Sequence, residues 1–169
     1  MRTRILAVGA VLVVGAFMAG PFARAAVAQE AVYIVRHAER ADDESTSPLS
    51  AEGHARAARL AGMLRDAGIT AIFVSEYQRT AQTVAPLASR LGITPTAVPA
   101  DDPAALLHKI RRTGPKARVL VAGHSDTVPA LLTALGCKPP VTIAKAEYDN
   151  LFVVVARGTA GPACLRLRY

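Results

Sequence analysis

Ala31-Val32-Tyr33-Ile34-Val35-Arg36-His37-Ala38-Glu39-Arg40 is a short apolar run that stops abruptly at an Arg-His pair. From Ala31 to Val35 the apolar residues are continuous rather than alternating, the pattern of a strand covered on both faces. Such strands belong to open α/β sheets, whose ligands gather just beyond the strands' carboxyl ends. His37 therefore stands where chemistry is usually done, flanked by guanidinium groups suited to an anion. On this stretch alone, a histidine that merely closes the strand is an equal alternative.

Downstream, the pattern repeats. Ala41 to Pro48 is a polar, turn-rich loop, and Ser50 is a helix cap ahead of Ala57, Leu60, Ala61 and Leu64, with Gly68 as the stop. Thr70 to Val74 reads as a second buried strand. Ser75 to Thr80 then leads into a helix with Thr83, Val84, Leu87 and Leu91 on one face and Gly92 at its end. Thr94 to Val98 is a short strand, and Asp102-Pro103 opens a further helix with aspartate at the cap and proline at the first position. Arg118 to Ala122 is the fourth strand, followed by the turn Gly123-His124-Ser125-Asp126-Thr127 and a helix from Val128 to Leu135. Leu151 to Val155 and Leu165 to Leu167 read as closing strands joined through Gly158 to Pro162. Alternating strands and helices predict an α/β three-layer sandwich with a mainly parallel central sheet flanked by helices.

The N-terminus is different. Arg2 and Arg4 precede an uncharged apolar run from Ile5 to Gly20, and Ala26-Val27-Ala28 offers a small-x-small cleavage site. That order is the order of a secretory signal, and the run is short of the ~20 apolar residues of a membrane span. Residues 1–28 are thus expected to be a signal peptide and residues 29–169 one domain, exported to the periplasm or secreted, without stable membrane association after cleavage. An uncleaved anchor is the alternative. The formal charge of +7 loses the cations Arg2, Arg4 and Arg24 with the signal. The mild basic excess left favours anionic ligands but is no nucleic-acid signature, and the basic stretch Lys109 to Arg118 contains no aromatic residue. Cys137 and Cys164 either form one disulfide in an oxidising compartment or stay two buried thiols. They do not make a zinc site.

Unusual groups follow three strands: Arg36 and His37 the first, Arg79 the second, His124 the fourth. Strand ends of one parallel sheet share an edge, so these groups can meet in one pocket. Two guanidiniums can bind a phosphoryl group in forked fashion, and a neutral imidazole can attack it. Surrounding His37 with Arg36, Arg79 and His124 predicts a depressed pKa.

Arg36-His37-Ala38-Glu39 resembles the Arg-His-Gly/Ala-Glu signature of the histidine phosphatase superfamily (phosphoglycerate mutase-like). Ser75, Arg79, Thr80 and Thr83 are similar to its second-strand motif, and Gly123-His124 to its second histidine. The match runs from Val32 to Thr127 in the correct order. The resemblance implies metal-independent, cofactor-free phosphomonoester hydrolysis through a phosphohistidine on His37. Arg36, Arg79 and His124 would bind and neutralise the phosphoryl group. For the general acid the resemblance offers Asp102, with Asp101 beside it, or Asp126; Glu76 is a further candidate. The compact chain is similar to the short phosphohistidine-protein phosphatases, so the substrate is either a small phosphomonoester or a phosphoprotein. A non-catalytic phosphate- or phosphoprotein-binding module of the same fold is the alternative from another class. A serine hydrolase built on Gly123-His124-Ser125 is excluded, because that triad needs a histidine downstream of the serine and none follows His124. His54 and His108 lie in charged helical surroundings and read as surface residues.

Overall fold

The computed structural model describes residues 29–169. The expected signal at residues 1–28 lies outside the described residues. Among the described residues, strands and helices run in the order β1 (Ala31–Arg36), α1 (Ala51–Leu64), β2 (Ala71–Val74), α2 (Gln78–Leu91), β3 (Thr96–Ala97), α3 (Pro103–Arg112), β4 (Arg118–Gly123), α4 (Thr127–Ala134), β5 (Asn150–Val155) and β6 (Ala163–Arg168). They build one sheet in the order β3-β2-β4-β1-β5-β6. β1, β2, β3 and β4 pair in parallel, while β5 runs antiparallel to β1 and β6 antiparallel to β5. The sheet is therefore mixed, with a parallel centre, and the three-layer α/β expectation holds.

The continuous apolar run of β1 is explained by its central position. Val32 and Ile34 enter one core with Ile110 of α3 and Leu131 of α4, while Val35 enters the other with Leu60 of α1 and Leu87 of α2. Ser50 Oγ accepts from Gly53 N at 3.1 Å at the start of α1, and Gly92 ends α2 at φ +65°. β3 is shorter than the sequence predicts and both of its residues are exposed. Pro95 and Pro99 bracket it and remove backbone donors, which confines pairing to the residues between them. Cys137 and Cys164 are bridged, tying the turn after α4 to β6. Among the described residues no helix is long and apolar enough to cross a membrane.

One close approach links the fold to the site. Gly53, in the first turn of α1, packs against the carbonyl of Glu39, two residues beyond His37, and a Cβ there would collide with that backbone oxygen. Backbone cannot yield as a flexible side chain can. We therefore expect Gly53→Ala to destabilise by about 1–3 kcal/mol despite alanine's better helix propensity. Gly62→Ala in the same helix meets open space and should stabilise by up to about 1 kcal/mol. Urea denaturation midpoints of the two variants check the contrast; equal shifts would remove the packing argument.

Candidate active site

The parallel register of β1 on β4 pairs Arg36 with Gly123, and His37 N donates to Gly123 O at 2.8 Å. The next residue on each strand is a histidine, so the two imidazoles come out side by side, ring centroids 5.3 Å apart and planes inclined at 61°. The turn after Gly123 is tight, since a Cβ there would lie 2.8 Å from Thr127 Oγ1, and that hydroxyl accepts from His124 N, also at 2.8 Å. Arg79 arrives from the first turn of α2. All four polar groups are buried: His37 is 4% exposed, Arg36 5%, His124 8% and Arg79 9%. The sequence-predicted quartet is thus brought together on the wall of one cleft of about 560 Å³.

Hydrogen bonds fix which atoms are free. His37 Nδ1 lies 2.7 Å from Ala38 O. A carbonyl only accepts, so Nδ1 carries the proton and the neutral ring keeps its lone pair on Nε2. Burial, joined by the charges of His124, Arg79 and Arg36, pushes the ring down to a pKa of about 3 against the opposing bond to Ala38. The direction agrees with the sequence reading, although burial outweighs the neighbouring charges that suggested it. His124 Nε2 lies 2.9 Å from Ser75 Oγ and its Nδ1 3.5 Å from Arg79 Nη2. A guanidinium only donates, so Nδ1 accepts and Nε2–H donates to Ser75. Burial and then Arg79 hold this ring at about 4.

The arginines share one design. Arg36 Nη1 donates to the carbonyls of Ala144 (3.2 Å), Lys145 (2.8 Å) and Glu147 (3.2 Å), and its guanidinium lies 4.0 Å from the ring centre of Tyr148. Arg79 Nη1 donates to Ser45 O at 2.6 Å, and its guanidinium lies 4.3 Å from the Tyr77 ring. Burial lowers both pKa values from the arginine norm. Each guanidinium is therefore anchored through Nη1, and its buried Nε donor has no partner in the protein.

The hydroxyls of the second-strand motif are scaffolding. Thr83 Oγ1 donates to Arg79 O at 2.7 Å and accepts from Ala38 N at 2.9 Å, so α2 is stitched to the turn after β1. Thr80 Oγ1 lies 3.1 Å from Ser75 Oγ, which in turn orients His124. Burial alone would raise the Glu39 carboxyl, but the forked bonds from Arg56 Nε (2.8 and 2.9 Å) leave it below its ordinary value. Glu39 thus pins the segment beyond His37 rather than entering the cleft.

The carboxyl candidates separate. Asp126, Asp101 and Glu76 line the cleft, whereas Asp102 does not. Asp102 Oδ1 accepts from Ala105 N at 2.8 Å, the capping bond its sequence position announced. Asp126 Oδ1 takes Thr127 N at 2.8 Å, and Glu76 Oε2 takes Ala100 N at 2.9 Å. Sequence reasoning missed Tyr77, Tyr148 and Arg40, which also lines the cleft. Among the described residues, no three His, Cys, Asp or Glu side chains converge as a metal site would.

Comparison with known proteins agrees with this fold. The family model "Histidine phosphatase superfamily (branch 1)" matches residues 32–100. No curated protein sequence matches the chain. Among solved structures, the protein histidine phosphatase SixA complexed with tungstate is similar at 22% identity and TM-score 0.62, over 82% of this chain and 96% of that one. A mycobacterial glucosyl-3-phosphoglycerate phosphatase is similar at 13% identity and TM-score 0.64, over 83% and 98%. The alpha-ribazole phosphatase from Shigella flexneri is similar at 12% identity and TM-score 0.67, over 82% and 96%.

Both imidazoles titrate below their unfolded value of about 6.5. Between that pH and the folded values of about 3 and about 4, the unfolded chain binds more protons than the folded one. Their contribution to stability is therefore complete above about pH 6.5 and is lost as the pH falls towards 4 and below. In an NMR titration, ring-proton shifts of His37 and His124 should still report neutral imidazole at pH 5.5. A midpoint near 6.5 for either would contradict the burial argument.

Proposed function

We propose that this chain, whose residues 32–100 match the histidine phosphatase superfamily model, hydrolyses phosphomonoesters through a covalent phosphohistidine on His37. One observation carries the reading: two buried guanidiniums keep unspent Nε donors beside an imidazole whose free lone pair is on Nε2. Buried donors without partners are costly, and a phosphoryl group supplies the acceptors they lack.

In the first step His37 Nε2 attacks phosphorus, the N–P bond forms, and the bond to the leaving oxygen breaks. Arg36 and Arg79 take the equatorial oxygens on their Nε edges, where charge is redistributed as the phosphoryl group transfers. His124 Nδ1 already faces Arg79, so a dianion arriving there raises the pKa of this ring and lets it take a proton and donate it to a phosphoryl oxygen. Asp126, which lines the cleft two residues beyond His124, is the favoured general acid: its carboxyl form, protonated from solvent before the step, gives its proton to the leaving oxygen and becomes a carboxylate. In the second step the Asp126 carboxylate takes a proton from water as that water attacks phosphorus, the N–P bond breaks, and His37 regains its lone pair as phosphate leaves.

The substrate is a small phosphomonoester or a protein-borne phosphate. The domain, residues 29–169, acts after export and cleavage of residues 1–28. The Cys137–Cys164 bridge supports an oxidising compartment.

The test is p-nitrophenyl phosphate turnover without added metal, with a denaturing alkaline quench to trap an acid-labile, alkali-stable phosphoenzyme. His37→Ala should lose both signals, and Arg79→Ala should lose about 10–100-fold in kcat/KM, the worth of one charge-assisted contact. If the native chain binds inorganic phosphate but turns over no phosphomonoester, the protein is a binding module and the catalytic reading fails.

A further inference from the structure

Beside the phosphate cleft, an apolar groove of about 50 Å³ runs between α3 and α4. Its floor is Val98, Val121 and Leu131, all buried, and its rim is Leu106 with the exposed Ala130 and Ala134. The groove exists because α4 presents alanines at i and i+4 where larger side chains would close it. Ala100, His124 and Thr127 line both the groove and the cleft, so the two are continuous.

Two features indicate what it takes. The polar side chains that line it are already occupied: Ser75 Oγ and His124 Nε2 hold each other at 2.9 Å, and Thr127 Oγ1 accepts from His124 N at 2.8 Å. Water there finds few partners, and a site of that kind favours hydrocarbon. The second feature is direction. In the sheet order β3-β2-β4-β1, His37 follows β1 and His124 follows β4, and the groove floor uses β4 and the residues after β3. It thus lies on the side of β4 remote from β1, and an in-line displacement by His37, approaching from the β1 side, sends its leaving group away from β1.

We propose that this groove is a leaving-group subsite, and that the substrate carries a short apolar hydrocarbon segment next to its phosphoester oxygen. The proposal rests on the phosphoryl-binding reading of the cleft. At ~10–15 Å³ for each water-sized sphere, the groove has room for roughly three or four methylenes.

Binding of alkylphosphonates to the full chain, followed by calorimetry, tests it without requiring turnover. From methyl- to butylphosphonate the affinity should rise about 2–4-fold per methylene and level off at hexyl. Ala130→Leu and Ala134→Leu change exposed helix positions outside the catalytic groups, so the fold tolerates them. Each should flatten the series and leave methylphosphonate affinity unchanged. Leu106→Ala should move the plateau to longer chains. A flat series in the native chain, or a rise that persists in both leucine variants, overturns the subsite. Turnover of p-nitrophenyl phosphate and its loss in His37→Ala report separately on the cleft, so the failure of one reading is distinguishable from the failure of the other.

Discussion

Everything in the site depends on the parallel pairing of β1 with β4. With Arg36 opposite Gly123 and His37 N bonded to Gly123 O, both imidazoles leave the same sheet edge at the same height. A slip by one residue would turn the side chains of one strand to the opposite face. The register is protected from both sides. Val32 and Ile34 commit β1 to one core and Val35 to the other, and β4 divides in the same way through Val121 and Leu120. A one-residue slip of either strand would exchange its residues between the two cores.

Placing cations beside those rings is the second constraint. A buried guanidinium without partners is expensive, yet one fully bonded to protein has nothing left for a ligand. Arg36 and Arg79 resolve this alike, with Nη1 on backbone carbonyls and a tyrosine ring against the guanidinium. Carbonyls supply partial negative charge without a carboxylate that would compete with an anion. The Nε edges are then held in a low-dielectric wall, where a contact to an anion is worth more than in water. The same desolvation keeps His37 neutral, the form that the proposed attack on phosphorus requires.

Much of this was legible in the sequence because strand ends are local signals and parallel strands share an edge. Arg36, His37, Arg79 and His124 follow from that rule, and Ser50 and Asp102 from capping chemistry. Tyr148 was not legible. Its segment has no periodicity, and it reaches Arg36 only because β5 runs antiparallel beside β1, a pairing that sequence does not specify. The division between Asp126 and Asp102 was equally hidden, since both cap helices and only the directions of α3 and α4 decide which one lines the cleft. Ala130 and Ala134 read as ordinary helix surface, because a groove is a property of the spacing between two helices.

What holds the carbonyls around Arg36 can be argued from magnitudes. The segment from Cys137 to Asn150 is mostly loop, and its anchors gather on β6. Cys137 is bridged to Cys164, while Glu147 pairs with Arg166 and Arg168, and Asp149 with Arg168. These ion pairs are partly exposed, and such pairs contribute about 0–1 kcal/mol each. A bridge across a sequence separation of 27 contributes about 3–4 kcal/mol in the chain-entropy account. The disulfide is therefore the dominant anchor. β6 leaves Leu165 54% and Leu167 45% exposed, so it adds little to either core. Its structural value is to carry Cys164 and the two arginines, and through them to keep Arg36 aimed at the cleft from a strand that never touches it.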